Sequence, residues 1–183
     1  IEKNEINTRA KGGTELMMEG LEKRLPKGLL NEFQIIPSRL RGIDSTRKSI
    51  LWLHDLAEDP EAKHLSDSRG RQRFDKLVFV SHWQFTTYNK VLGVPYGESI
   101  VLRNAIEPIA AHTKPKDGPI RLIYHTTPHR GLDILLAVYE RLSDKYKDKL
   151  HLDVYSSYKI YGNEQRDEQF TQLFDVCKSH DHI

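Results

Sequence analysis

The chain has 183 residues, 38% hydrophobic and 30% charged, with 28 basic against 26 acidic side chains and a net charge of +2. Those proportions describe a globular protein of one domain or two small ones, and the near-balance of charge argues against a dedicated nucleic-acid binder, which carries a marked basic excess. No apolar run approaches the ~20 residues of a membrane span, and the single cysteine, Cys177, excludes an internal disulfide framework and a cysteine-built zinc site and suits a reducing cytoplasm.

The opening Ile1-Glu2-Lys3-Asn4 is polar and charged and lacks a start methionine, so it does not read as a signal peptide. Residues 12–25 are predicted to form a helix opened by the pair Gly12-Gly13, with Met17, Met18, Leu21 and Leu25 on its apolar face. A short strand follows at residues 33–36, stopped by Pro37, and a second at residues 49–53 ends at His54-Asp55. Residues 57–73 are polar and read as loop mixed with helix. A third strand at residues 76–81 is unbroken in its apolar core, as buried parallel strands are. A helix over residues 82–91 is closed by Gly93 and Pro95, and a fourth strand spans residues 99–103.

Residues 107–119 hold three prolines, a glycine and two lysines, which is linker chemistry. The pattern then restarts with a strand at residues 120–124. Leu132, Leu135, Leu136, Tyr139, Leu142 and Tyr146 mark one face of a helix at 3.6-residue spacing. A strand at residues 151–155 precedes a last helix striped by Phe170, Leu173, Phe174 and Cys177. Alternating strand and helix means βαβ units and parallel sheets. The predicted fold is therefore α/β with two Rossmann-like domains, residues 1–106 and 120–183, joined by the linker. Both ends read as truncated: no apolar strand precedes the glycine pair, and two βα units are few for a closed α/β domain.

Three motifs are candidates for chemistry. Lys11-Gly12-Gly13-Thr14-Glu15 sits at a helix start, where bare N–H groups and the helix dipole attract anions, although taken alone it is more simply a flexible turn into the helix. It matches neither the Gly-x-Gly-x-x-Gly dinucleotide fingerprint nor a P-loop, which speaks against a nicotinamide oxidoreductase. Tyr124-His125-Thr126-Thr127-Pro128-His129-Arg130-Gly131-Leu132 lies between a strand and a helix, where open α/β sheets bind ligands. Arg130 at a helix start opposes the dipole, so it is a poor choice for stability, and a guanidinium there suits a diphosphate. Thr126 and Thr127 are placed either to donate to phosphate or to cap the helix. His54, at a strand end, is suited to hydrogen-bond a sugar or to stabilise charge, or else is a strand-end histidine satisfied by its neighbours. Tyr155, Tyr158 and Tyr161 offer stacking faces or loop packing. His180-x-His182 beside Asp181 has the look of a metal site, but a frayed terminus accounts for it and no metal is expected.

Taken in order, these pieces resemble the family-four glycosyltransferases of the two-Rossmann-domain (GT-B) kind. Gly12-Gly13-Thr14-Glu15 looks like that family's amino-domain glycine loop, and Leu53-His54-Asp55 like its strand-end His-Asp. Val78-Phe79-Val80-Ser81-His82-Trp83-Gln84 resembles its Val-Ser-x-Trp strand and helix. The segment from Val101 to Glu107 resembles the stretch leading to the interdomain linker, with Ala105 in place of the usual glycine. His129-Arg130-Gly131-Leu132-Asp133-Ile134-Leu135-Leu136 resembles the motif opening the donor domain.

The resemblance implies transfer of a sugar from a nucleotide-sugar such as a UDP- or GDP-sugar to a glycan or lipid acceptor, with retention and without a metal or other cofactor. Arg130 would neutralise the departing diphosphate, His54 would contact the transferred sugar, and Gly12 and Gly13 would approach phosphate or acceptor. An arginine common five residues before Arg130 is here His125, which implies either a weaker diphosphate clasp or a branch that uses Thr126 and Thr127 instead. The family's Glu-x7-Glu motif is expected beyond Ile183, so the chain alone is expected not to catalyse transfer. A non-catalytic nucleotide- or sugar-binding module and a sugar-nucleotide epimerase of the same fold are the alternatives. The expected setting is the cytoplasm, with peripheral membrane contact if the acceptor is a lipid, and oligomeric state is left open.

Overall fold

The computed structural model describes residues 11–40 and 42–183; the reading of Ile1 to Asn4, and of the absence of a strand before the glycine pair, falls largely outside the described residues. The chain divides into two compact units, the first ending at Pro108 and the second beginning at Ile109.

The first unit opens with α1 (Gly13–Arg24) and a short α2 (Lys27–Glu32), then builds a four-stranded parallel sheet from β1 (Phe33–Pro37), β2 (Lys48–Leu53), β3 (Lys76–Phe79) and β4 (Ser99–Val101) in that spatial order. Alternation along these strands sorts their side chains onto two faces. Ile35, Trp52 and Val78 face Met18 of α1, while Ile36, Leu51, Leu53, Leu77 and Phe79 pack with Phe85 and Tyr88 from α4 (His82–Leu92). With both faces covered, the strands read as apolar runs rather than as clean alternation. Ser81 caps α4 by accepting from the Gln84 N–H at 3.0 Å, and Gly93 closes it at φ 68°, the left-handed backbone that glycine adopts without a Cβ clash.

The stretch between β2 and β3 is the expected mixture: a 3₁₀ segment Pro60–Ser66 capped by Asp59, then α3 (Ser68–Arg71) capped by Asp67. The Arg71 side chain, 9% exposed, ties this stretch together by donating to the Leu65 carbonyl, the Ser66 carbonyl and the Glu98 carboxylate.

The second unit holds a two-stranded parallel sheet, β5 (Ile120–Tyr124) and β6 (Leu150–Val154), with α5 (Leu132–Tyr146) and α6 (Thr171–Ser179). Leu132, Leu136, Tyr139, Leu150 and Leu152 form its buried core, and Leu173, Phe174 and Cys177 of α6 pack against it. The apolar face predicted for α5 is buried only over its first two turns: Leu142 and Tyr146 are 37% and 42% exposed, and Ser143 is the buried residue of the last turn. Thus the architecture is mixed α/β with parallel sheets. Among the described residues, no helix is long and apolar enough to cross a membrane.

Candidate functional site

Ligands of open parallel sheets bind at the carboxyl ends of the strands, where strand-to-helix turns gather. In the first unit that rim carries Ser38 after β1, His54 after β2 and Ser81 after β3. Ser38 is buried and held at φ 60°, a conformation that costs a non-glycine residue about 1 kcal/mol. Its N–H donates to the Trp52 carbonyl at 2.8 Å, and its hydroxyl accepts from the His54 N–H at 2.9 Å. The His54 ring leans on Trp52 with centroids 4.5 Å apart. Burial pushes the His54 pKa down to about 4, and Nε2 has no partner. Such a ring is neutral near pH 7. It is suited to a hydrogen bond with a sugar hydroxyl and not to stabilising charge as a cation. Nε2 is also shut off from solvent, so a ligand meeting this ring meets Nδ1 or the ring edge.

Gln84 organises the same rim and was not singled out from sequence. Its side-chain oxygen accepts from the Val80 N–H at 2.9 Å, while its amide donates to the carbonyls of Leu53 and Asp55 at 3.2 and 2.8 Å. The only local signal was a glutamine between two aromatic residues, Trp83 and Phe85, near the start of a helix. Gly12 is the N-cap of α1 and Gly13 its first residue; Gly12 has φ −74°, and a Cβ on Gly13 would meet nothing within 4 Å. Neither backbone strain nor packing against the described residues therefore requires glycine at position 13. With glycine at the cap, no side chain satisfies the helix's first N–H groups from that position.

In the second unit the Thr126–Arg130 turn is pinned from below. Tyr124 donates through its hydroxyl to the Thr127 carbonyl at 2.9 Å, Ser156 donates to the Thr126 carbonyl at 2.7 Å, and the Tyr155 N–H donates to the Tyr124 carbonyl at 2.7 Å. Arg130 differs from expectation in one respect. It ends a 3₁₀ turn, Pro128–Arg130, and Gly131 at φ 96° separates it from α5, which starts at Leu132. Its side chain is exposed, and no carboxylate among the described residues pairs with it. Thr126 is half-buried. Thr127 is buried with its hydroxyl unpaired and shut off from solvent, so it neither caps the turn nor faces a phosphate.

The tyrosine cluster is largely structural. Tyr158 is 3% exposed: His129 stacks on its ring at 5.5 Å and 17°, and the Arg166 guanidinium lies 4.3 Å from its centroid. At that burial Tyr158 has no ring face to offer a base or sugar. Tyr155 remains exposed. His180 and His182 turn to Ser143, Tyr139 and Asp148, and among the described residues no three carboxylate, histidine or cysteine side chains converge as metal ligands would.

No family model and no curated protein matches this chain. Among solved structures it is similar to the crystal structure of accessory secretory protein 1, 2 and 3 in Streptococcus pneumoniae, at 10% identity and a TM-score of 0.43, over 90% of this chain and 34% of that one. The chain thus spans about a third of the length of that match, and a likeness of this degree fixes neither fold nor chemistry.

Proposed function

We propose that the chain is part of a glycosyltransferase that moves a sugar from a nucleotide-activated donor to a glycan or lipid acceptor. The observation that carries this reading is Arg130: an exposed guanidinium without a carboxylate partner among the described residues, on a turn pinned at the carboxyl edge of a parallel sheet. A structural arginine earns its place through a carboxylate or carbonyl partner, as Arg71 does with Glu98. A free one at a strand-to-helix turn suits an anionic ligand, and its planar fork matches a diphosphate. Arg130 binds the diphosphate, assisted by Thr126. His54, held neutral, hydrogen-bonds the sugar, and Gly12 and Gly13 leave the N–H groups of α1 bare toward phosphate or acceptor. The leaving group is stabilised by the guanidinium and backbone N–H groups, so transfer proceeds without a metal, in the cytoplasm.

The test is to titrate the whole chain with UDP and GDP and follow backbone amide shifts by NMR. Shifts centred on residues 124–132, and at least about a tenfold loss of affinity in Arg130→Ala, are expected for a charge-assisted bidentate contact. Binding of neither nucleotide at millimolar concentration would overturn the reading. Binding without sugar transfer by any longer form of the protein would favour a non-catalytic module.

A further inference from the structure

The geometry points to His129 as a second diphosphate-binding residue, with Tyr158 as the positioning residue that sets its tautomer; this rests on the nucleotide-sugar reading above. His129 precedes Arg130 on the same 3₁₀ turn and is exposed, yet its ring is not free to turn. Nδ1 lies 2.6 Å from the Tyr158 hydroxyl, and the two rings stack. A phenol is a good donor and, because its lone pairs are delocalised into the ring, a poor acceptor. The Tyr158 hydroxyl therefore donates to Nδ1, and the neutral imidazole must carry its proton on Nε2. Arg166 strengthens this arrangement. A cation 4.3 Å from the phenol ring centroid draws electron density from it and makes the hydroxyl a better donor. Asp167 holds the phenol in place, accepting from the Tyr158 N–H at 2.8 Å and from the Ser157 hydroxyl at 2.5 Å.

The result is an N–H donor on an exposed residue, its ring held by Tyr158, one residue from the guanidinium. The ligand class is a nucleoside diphosphate or the diphosphate of a nucleotide-sugar. The substitution pattern separates positioning from simple packing, because Tyr158→Phe keeps the ring against His129 and Arg166 and removes only the donor.

Two measurements on the whole chain decide the matter. Long-range ¹H–¹⁵N correlation of the histidine rings above pH 7.5 should show His129 as the Nε2–H tautomer, shifting to a mixture in Tyr158→Phe; an Nδ1–H tautomer in the unmodified chain overturns the inference whatever binds. In UDP and GDP titrations, His129→Ala should weaken binding by about tenfold, and His129→Gln, whose side-chain amide can place an N–H near the Nε2 position, should restore most of it. If the unmodified chain binds and His129→Ala binds equally well, the inference fails and the proposed function stands. If the unmodified chain binds neither nucleotide, the proposed function fails and takes this ligand with it.

Discussion

The His54 N–H donates to the Ser38 hydroxyl across 2.9 Å, so the carboxyl ends of β1 and β2 are joined by a side chain whose own backbone sits at φ 60°. Two effects meet at Ser38: a buried hydrogen bond worth about 1 kcal/mol and a left-handed backbone costing about the same. Ser38→Ala loses the first and keeps the second, and should destabilise the first unit by about 1–2 kcal/mol. Ser38→Gly loses the bond but relieves the backbone, and should be about 1 kcal/mol more stable than Ser38→Ala. Urea unfolding of the two variants measures the difference; an alanine variant as stable as the glycine variant would show that the φ carries no cost.

Acid should weaken the fold through His54. In the unfolded chain this histidine has a pKa near ~6.5, while burial holds it down to about 4 in the folded state. Between those values the unfolded state binds the extra proton. The stability contribution is therefore fully present above pH ~6.5 and is lost as pH falls toward 4, by up to about 3 kcal/mol. His64, whose two ring nitrogens are both buried and unpaired, has its pKa lowered by burial and by Arg73 and adds slope of the same sign. Asp44 acts lower down: hydrogen bonds from Thr46 hold its carboxyl at about 2, so its contribution is lost only below pH ~4. Unfolding free energy measured from pH 7 to 4.5 should show a shallower slope in His54→Gln than in the unmodified chain.

Glycine substitutions should separate by position. A Cβ at Gly70 would stand 1.9 Å from the His64 carbonyl oxygen, a backbone atom that cannot yield without moving the 3₁₀ segment, whereas a Cβ at Gly28 in α2 would meet nothing within 4 Å. Gly70→Ala should cost about 2–4 kcal/mol, and Gly28→Ala should gain about 0.5–1 kcal/mol from the reduced freedom of the unfolded chain. Thermal unfolding of the two variants should move in opposite directions.

Elements with a strong local signal were legible from sequence. The apolar run Leu77-Val78-Phe79 marked a buried strand, and Gly93 marked the end of α4. α2 was missed because six residues, Lys27–Glu32, are too few to show a helical period. The end of α5 was misread because a spacing of apolar residues states which face would be buried, not how far along the helix a neighbour reaches. Of the candidate site, the turn carrying Arg130 was legible as a strand-to-helix connection in an α/β pattern. The state of its side chains was not, because it depends on residues distant in sequence. Tyr158 is closed off by Arg166 and by His129, 29 residues away, and His54 is dehydrated against Trp52 and tied to Ser38, 16 residues back.

Gln84 spaces the ends of β2 and β3 with an amide, a group that has one donor end, one acceptor end and no proton to lose. A glutamate of the same shape would turn an oxygen toward the carbonyls of Leu53 and Asp55 and hold neither. The spacing is therefore indifferent to acidity, while His54, at the end of β2 and tied to Ser38 after β1, changes charge near pH 4. Protonation at this rim alters what the site attracts and leaves the distance between its two banks where it was.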